Sequence, residues 1–91
     1  MYQPAQAITM DHAQAILDDG LRAIAAGQTR FDLSHVTAVD SSAVAVLLNW
    51  QRTARQASTE VKFVGVPASL SSLIALYGVT QLLKIPVASA G

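Results

Sequence analysis

Apolar residues recur every three or four positions in three stretches of the chain, and this period predicts three helices. The first helix is expected to begin with Asp11 as its capping residue. The second is expected to begin after Asp40, a good N-cap residue, and to end near Ala57. A short third helix is predicted after Ser69, and residues 79–83 are expected to add another helical turn. The apolar face of the third helix is predicted to contain Leu70, Leu73, Ile74 and Tyr77.

Short segments that are rich in β-branched residues or that alternate in polarity lie beside these helices and predict four strands. The predicted strands are residues 5–9, 30–34, 61–66 and 84–87. Residues 35–39 are expected to form a loop. The order βαβαβαβ predicts an α/β fold in which helices pack on a mostly parallel or mixed four-stranded sheet. A single domain is expected over residues 1–91, with its core at about residues 8–87.

The composition narrows the possible functional classes. The 91 residues include six cations and six anions, so the net charge is zero and no basic patch is available to bind nucleic acid. Cysteine is absent, which removes disulfides and thiolate metal sites and fits a reducing compartment. No apolar run approaches the roughly 20 residues of a membrane span, and no secretory signal is recognisable. We therefore expect a cytoplasmic protein that meets a membrane only indirectly.

The chain offers little catalytic or ligand-binding chemistry. His12 and His35 are isolated from other ligands at metal-binding spacing, so no metal site is predicted. The glycines lack the spacing of a phosphate-binding loop, so no cofactor is predicted. Ser41, His35 and Asp40 could be combined into a catalytic triad, but an N-cap carboxylate is committed to backbone donors and nothing supplies an oxyanion hole. No enzymatic activity is expected.

The predicted second helix is apolar on two opposite sides, whereas a helix that covers a sheet normally shows water a polar side. The side expected to cover the sheet contains Ala43, Val46, Leu47, Trp50, Ala54 and Ala57. The other side, which we call the outer stripe, consists of Ser41, Val44, Ala45, Leu48, Arg52 and Arg55. Either a neighbouring helix of the same chain covers the outer stripe, or a partner protein docks on it.

Two hydroxyl residues, Ser41 and Ser42, follow Asp40 in the first turn of this helix. Small hydroxyl residues are common there because they satisfy free backbone N–H groups. A hydroxyl at a helix N-terminus can also accept a phosphate or contact a partner, because the helix dipole favours negative charge at that end. The residue types alone leave both roles open.

Residues 31–48 resemble the STAS domain family, the fold of anti-sigma factor antagonists. The resemblance lies in a strand that ends in Asp-Leu-Ser at residues 32–34, a loop with alternating valines, and a helix that opens with Asp40 and two hydroxyl residues. It extends more weakly over residues 8–87. In antagonists of this family the hydroxyl residue directly after the motif aspartate is phosphorylated, and here that residue is Ser41.

Ala43 and Val44 replace the glycine and leucine that are usual in the family. With the small size of the chain, this departure makes it more similar to the stand-alone STAS subunits of the Mla phospholipid-transport ABC system. The resemblance implies a non-enzymatic protein that binds and supports the cytoplasmic ATPase of a transporter that maintains outer-membrane lipid asymmetry. The residues expected to bind the partner are Asp40, Ser41, Ser42, Val44, Leu48, Arg52 and Arg55. The alternative is an anti-sigma factor antagonist, whose binding to an anti-sigma factor or serine kinase is regulated by phosphorylation of Ser41.

Overall fold

A computed structural model describes residues 1–83 of the chain. In chain order its elements are β1 (Ala7–Ile8), α1 (Ala13–Ala25), β2 (Arg30–Asp32), β3 (Ala38–Val39), α2 (Ser41–Gln56), β4 (Lys62–Val64), α3 (Ala68–Leu76) and α4 (Thr80–Leu83). Helices connect strands that pair in parallel, so the predicted α/β class is confirmed. The strand predicted at residues 84–87 lies outside the described residues.

The strands within residues 1–83 pair in parallel as two separate pairs instead of the single four-stranded sheet that the pattern predicted. In the first pair, β1 lies beside β3 with Ile8 opposite Val39. In the second pair, β2 lies beside β4 with Phe31 opposite Phe63. An isolated parallel bridge joins Tyr2 to Phe31, so the N-terminal residues lie beside β2. The parallel pairing is therefore as predicted, whereas a single continuous sheet is not confirmed within residues 1–83.

Strand β3 lies within residues 35–39, where a loop was predicted. The backbone N–H groups of Thr37 and Ala38 donate to the carbonyl of Gln6 at 2.7 and 3.3 Å, and the Asp40 N–H donates to Ile8 at 3.4 Å. These partners are about 30 positions away in the sequence, and β3 contains only two residues. A strand this short has no period of its own, so its pairing could not be predicted from local pattern.

The helix starts differ from the predictions at two of the three sites. Helix α1 begins after His12, which provides no side-chain cap, so the predicted cap at Asp11 is wrong. Helix α3 begins after Pro67, so the predicted cap at Ser69 is also wrong. The carbonyl of Pro67 instead accepts the first helical hydrogen bond from Ser71 at 2.9 Å. The cap at Asp40 and the helical turn within residues 79–83 are as predicted.

Helix α2 is fixed against α1 by an unusually close contact. The fully buried Trp50 lies against Gly20, where an added Cβ would come within 2.2 Å of the indole ring. The indole N–H donates to the carbonyl of Leu17 at 3.0 Å, and the Phe31 ring packs on Trp50 at a centroid distance of 5.0 Å. Gly20 is therefore the residue that lets the two helices approach, although glycine weakens a helix interior.

Helix α2 is fixed against β4 by a buried amide. Gln51 is 3% exposed, and its side chain both donates to the carbonyl of Val61 at 2.9 Å and accepts from the Val61 N–H at 2.8 Å. Because both backbone groups at the start of β4 are satisfied, the burial of this polar side chain carries no unpaired hydrogen-bonding group. The two contacts set the orientation of α2 and with it the position of the outer stripe.

Candidate functional site

The N-terminus of α2 and the loop between β1 and α1 meet at one carboxylate. Asp40 accepts at Oδ1 from the Ser42 N–H at 2.9 Å and from the Ser42 hydroxyl, and at Oδ2 from the Met10 N–H at 2.9 Å. The Ser42 hydroxyl contributes most, followed by the Met10 N–H, to holding the pKa of Asp40 below its usual range. Asp40 is therefore an ionised cap that also holds the preceding loop.

The two hydroxyl residues of the first turn are placed differently. Ser42 is half-buried, and its hydroxyl donates to Asp40. Ser41 is exposed at the surface. Of the two, Ser41 is therefore the hydroxyl that a kinase or a partner protein can reach, and Ser42 serves the structural role that its residue type also allowed.

The outer stripe is covered on one edge and open on the other. Helices α3 and α4 both pack on α2. Val44 is only 4% exposed and Leu48 is half-buried, whereas Ala45, Arg52 and Arg55 are exposed. The first alternative therefore holds in part, since Val44 is buried and helices of the same chain pack on α2. The remaining residues of the stripe are accessible, and the docking of a partner on them stays a prediction.

A shallow groove of about 350 Å³ runs between α2 and the connection from α3 to α4. It is lined by Ser41, Val44, Ala45, Leu48, Tyr77 and Val79, and we call it the groove. Apart from the Ser41 and Tyr77 hydroxyls, the side chains of this lining are apolar. The groove therefore offers a buried floor at Val44 and apolar walls at Leu48 and Val79.

A second depression, of about 480 Å³, lies farther along α2 towards its C-terminus. It is lined by Leu48, Gln51, Arg52, Arg55, Gln56 and Leu82, and we call it the arginine recess. Leu48 lines both depressions, so the groove and the arginine recess are neighbours on one surface. Within residues 1–83 the ion pair joins Arg22 to Asp19 at 3.5 Å, and neither Arg52 nor Arg55 takes part in one.

The far wall of this surface was not predicted as part of the site. Tyr77 was expected on the buried face of the third helix, but it is 52% exposed, because α3 ends at Leu76 and Tyr77 is its C-cap residue. Leu82 is also 52% exposed, and Leu76 is 77% exposed. The apolar residues after the third helix were the available signal, but a four-residue helix is too short to show which face is exposed.

The residue types on this surface are those that are common at protein interfaces. Within residues 1–83 no group of three or more His, Cys, Asp or Glu side chains is close enough to hold a metal ion. In the same part of the chain no helix is long and apolar enough to cross a membrane. The surface instead combines an apolar depression, a tyrosine and two arginines, which are residue types enriched at protein interfaces.

Comparison with known families adds one finding. A family model described as "Mlab, STAS domain" matches residues 5–84, which is most of the chain. No curated protein and no solved structure gives a match. The matched region contains every strand and helix described above, and it includes both the groove and the arginine recess.

Proposed function

Because the chain belongs to the STAS domain family, in its MlaB-like form, we propose that it is a non-enzymatic accessory subunit of a phospholipid-transport ABC transporter. STAS domains act through contacts with other proteins. In this proposal the chain binds the cytoplasmic ATPase subunit of an Mla-type system and supports its activity in maintaining outer-membrane lipid asymmetry. The protein is then cytoplasmic and reaches the inner membrane only through the transporter.

The observation that carries this proposal is the apolar groove beside the N-terminus of α2. Protein interfaces commonly have an apolar centre and a polar or charged rim. Val44 and Leu48 would form the centre, Ser41 one end, and Arg52 and Arg55 the rim. Asp40 and Ser42 would act indirectly, since their hydrogen bonds shape the helix start that presents Ser41.

Tyrosine and arginine side chains supply a large share of the binding energy in many interfaces. Tyr77 joins the groove from the α3 side, although it was not among the residues predicted to bind a partner. We include Tyr77 in the proposed docking surface, because its ring is half exposed beside Val44 and Leu48.

The proposal is tested by co-purification with the ABC ATPase encoded beside this chain. A double variant, Ser41→Glu with Leu48→Asp, adds charge to the groove, and we expect capture of the ATPase to fall at least about tenfold. The matched control is Ala26→Asp with Gln28→Glu, which adds the same charge at exposed residues outside the groove. Equal capture by the wild type and the groove variant would contradict the proposal, provided that circular dichroism shows both to be folded.

The second candidate function is that of an anti-sigma factor antagonist controlled by phosphorylation. The observation in its favour is the accessibility of Ser41 at the edge of the groove, with Ser42 occupied by Asp40. A phosphate on Ser41 would place about two negative charges beside apolar side chains and weaken their contact with a partner.

Incubation with a cognate serine kinase, followed by mass spectrometry, tests this second function. Modification of the wild type and of Ser42→Ala, but not of Ser41→Ala, is the expected pattern, together with loss of binding to a kinase-type anti-sigma factor. Absence of any phosphate on Ser41 and of any captured anti-sigma factor would remove this candidate.

A further inference from the structure

We propose that the segment of the ATPase that occupies this surface carries both apolar side chains and at least one carboxylate. The apolar side chains enter the groove, and the carboxylate pairs with Arg52 and Arg55 in the arginine recess. This inference rests on the proposed function and adds the chemistry of the partner's segment to it.

The groove and the arginine recess form one elongated site, because Leu48 lines both of them. Along α2 the site extends from Ser41 to Arg55, which is roughly 20 Å at the helical rise of 1.5 Å per residue. A helix of about four turns spans that length, and so does an extended stretch of about six residues. One continuous segment of a partner can therefore contact both depressions at once.

The charged side chains among the described residues that line the site are positive. Both arginines are exposed, and none of the described residues that line the groove or the recess is acidic. The net charge of the whole chain is zero, so this excess of positive charge is local. A segment that is apolar throughout would cover part of the arginine recess without satisfying its guanidinium groups, and that burial is unfavourable.

Arginine is well suited to a carboxylate in this position. Its planar guanidinium group binds both oxygens of a carboxylate in a two-point contact that lysine does not make. Arg52 and Arg55 are three positions apart on α2, so they lie on the same side of the helix and reach the same region of a partner. The pair fits one carboxylate shared by both arginines, or two carboxylates on adjacent turns.

An anionic membrane fits the surface less well. Segments that bind anionic lipids carry clusters of roughly four to eight cations, whereas the recess has two among residues 1–83. A second copy of the chain is also disfavoured. Among the residues predicted to bind a partner, the acidic one is Asp40, and its carboxylate already accepts three hydrogen bonds from Ser42 and Met10.

The test measures binding of the purified ATPase to the immobilised chain at ionic strengths from about 50 to about 300 mM, a range over which screening changes strongly. We expect the affinity of the wild type to fall as salt rises, mainly through slower association. Arg52→Glu with Arg55→Glu is expected to weaken binding at least about thirtyfold at low salt and to reverse this salt dependence, because salt then screens a repulsion.

Two further variants separate the effect of charge on binding from the effects of two-point contact geometry and of apolar packing. Arg52→Lys with Arg55→Lys keeps the charge but loses the two-point contact, so we expect a loss of about three- to tenfold. Leu48→Ala is expected to raise the dissociation rate by a factor that does not change with salt. The matched control, Arg30→Glu with Lys62→Glu, reverses two exposed cations outside the site and is expected to bind like the wild type.

Hydrogen exchange of the ATPase in the complex then identifies the segment that the chain protects. Changing the Asp or Glu residues of that segment to Lys should restore binding to the Arg52→Glu, Arg55→Glu variant by at least about tenfold, since the charges are complementary again. A protected segment without any carboxylate would overturn the inference.

The outcomes distinguish the two levels of the proposal. No binding of the ATPase by the wild type overturns the proposed function and this inference together. ATPase binding that the two Arg→Glu changes leave intact overturns the inference alone. The inference also fails if those changes act only on binding to phosphatidylglycerol vesicles, or only on self-association measured by sedimentation.

Discussion

The two long sides of α2 are both apolar, but one is closed by the rest of the domain and the other is left as a groove. On the closed side, Trp50 is fully buried, its indole N–H has a partner, and Gly20 leaves room for its ring. On the open side, Val44 is covered while Leu48 is half-buried beside exposed residues of α3 and α4.

This difference shows what hydrophobicity alone leaves undecided. Both sides have the same helical period, and both contain aliphatic residues. The two sides differ in how well the neighbouring surface fits them. On the closed side, Gly20 and the carbonyl of Leu17 lie against Trp50. On the open side, the neighbouring helix α3 ends at Leu76. We therefore expect substitutions on the closed side to change stability, and substitutions on the open side to change binding.

The largest effect on stability is expected from Trp50→Ala. Removing a buried aromatic side chain costs about 3–5 kcal/mol, a large part of the total stability of a small domain. Urea unfolding followed by circular dichroism measures the change. Trp50→Phe is the control: it keeps most of the packing but removes the indole N–H that donates to the carbonyl of Leu17, so its loss should be smaller. If Trp50→Ala were as stable as the wild type, the distinction between the two sides would be wrong.

A smaller loss is expected from Gly20→Ala. In most helix interiors this change stabilises, because alanine has the higher helix propensity. Here the new Cβ would meet the indole ring at 2.2 Å, so the two helices must separate, at a cost of about 1–3 kcal/mol. Thermal unfolding measures the change. In a Trp50→Leu background the Gly20→Ala change should cost less than it does in the wild type, since the smaller side chain removes the clash.

On the open side we expect Leu48→Ser to behave in the opposite way. Leu48 is half-buried, so the substitution should lower stability by only about 1 kcal/mol. Capture of the ATPase should nevertheless fall clearly, because Leu48 lines both depressions. Unfolding and co-purification on the same preparations give the two values. A variant that loses stability as strongly as Trp50→Ala would place Leu48 in the core instead.

The smallest expected effect is a pH dependence of stability that arises from Asp40 at the N-terminus of α2. Hydrogen bonds from Ser42 and Met10 lower the pKa of Asp40 in the folded state, so its contribution to stability is present above the unfolded value of about 3.9. That contribution is lost as the pH falls through the lower, folded pKa. Asp40→Asn keeps a good N-cap without titrating. The difference in melting temperature between wild type and variant should therefore shrink below about pH 4.

Helix α2 was the most predictable part of the structure. Its 16 residues carry the helical period over four turns, and Asp40 provides a local cap, so both the start and the outer stripe could be derived from sequence. The separate strand pairs could not be derived from sequence, because β1 and β3 have two residues each and depend on partners far along the chain. The burial of Val44 could not be derived either, since a helical period gives the direction of a side chain but does not show which element lies opposite it.

The opposite wall of the groove was harder to predict for a related reason. Tyr77, Val79 and Leu82 surround a glycine turn, where the helical period is interrupted. Gln51 shows the same limit on the buried side. Its amide is in the core only because the backbone of Val61 lies within hydrogen-bonding distance, and that pairing depends on the tertiary fold.

The shared carboxylate of Asp40 also has a consequence for local opening of the fold. The amides of Met10 and Ser42 are 32 positions apart in the chain, yet both donate to this one side chain. When the Asp40 side chain moves away from the N-terminus of α2, the amides of Met10 and Ser42 both lose their acceptor in the same event. In native-state hydrogen exchange the two should therefore show matched protection factors, and a ligand seated against Ser41 should slow exchange at Met10, in a different loop, as much as at Ser42.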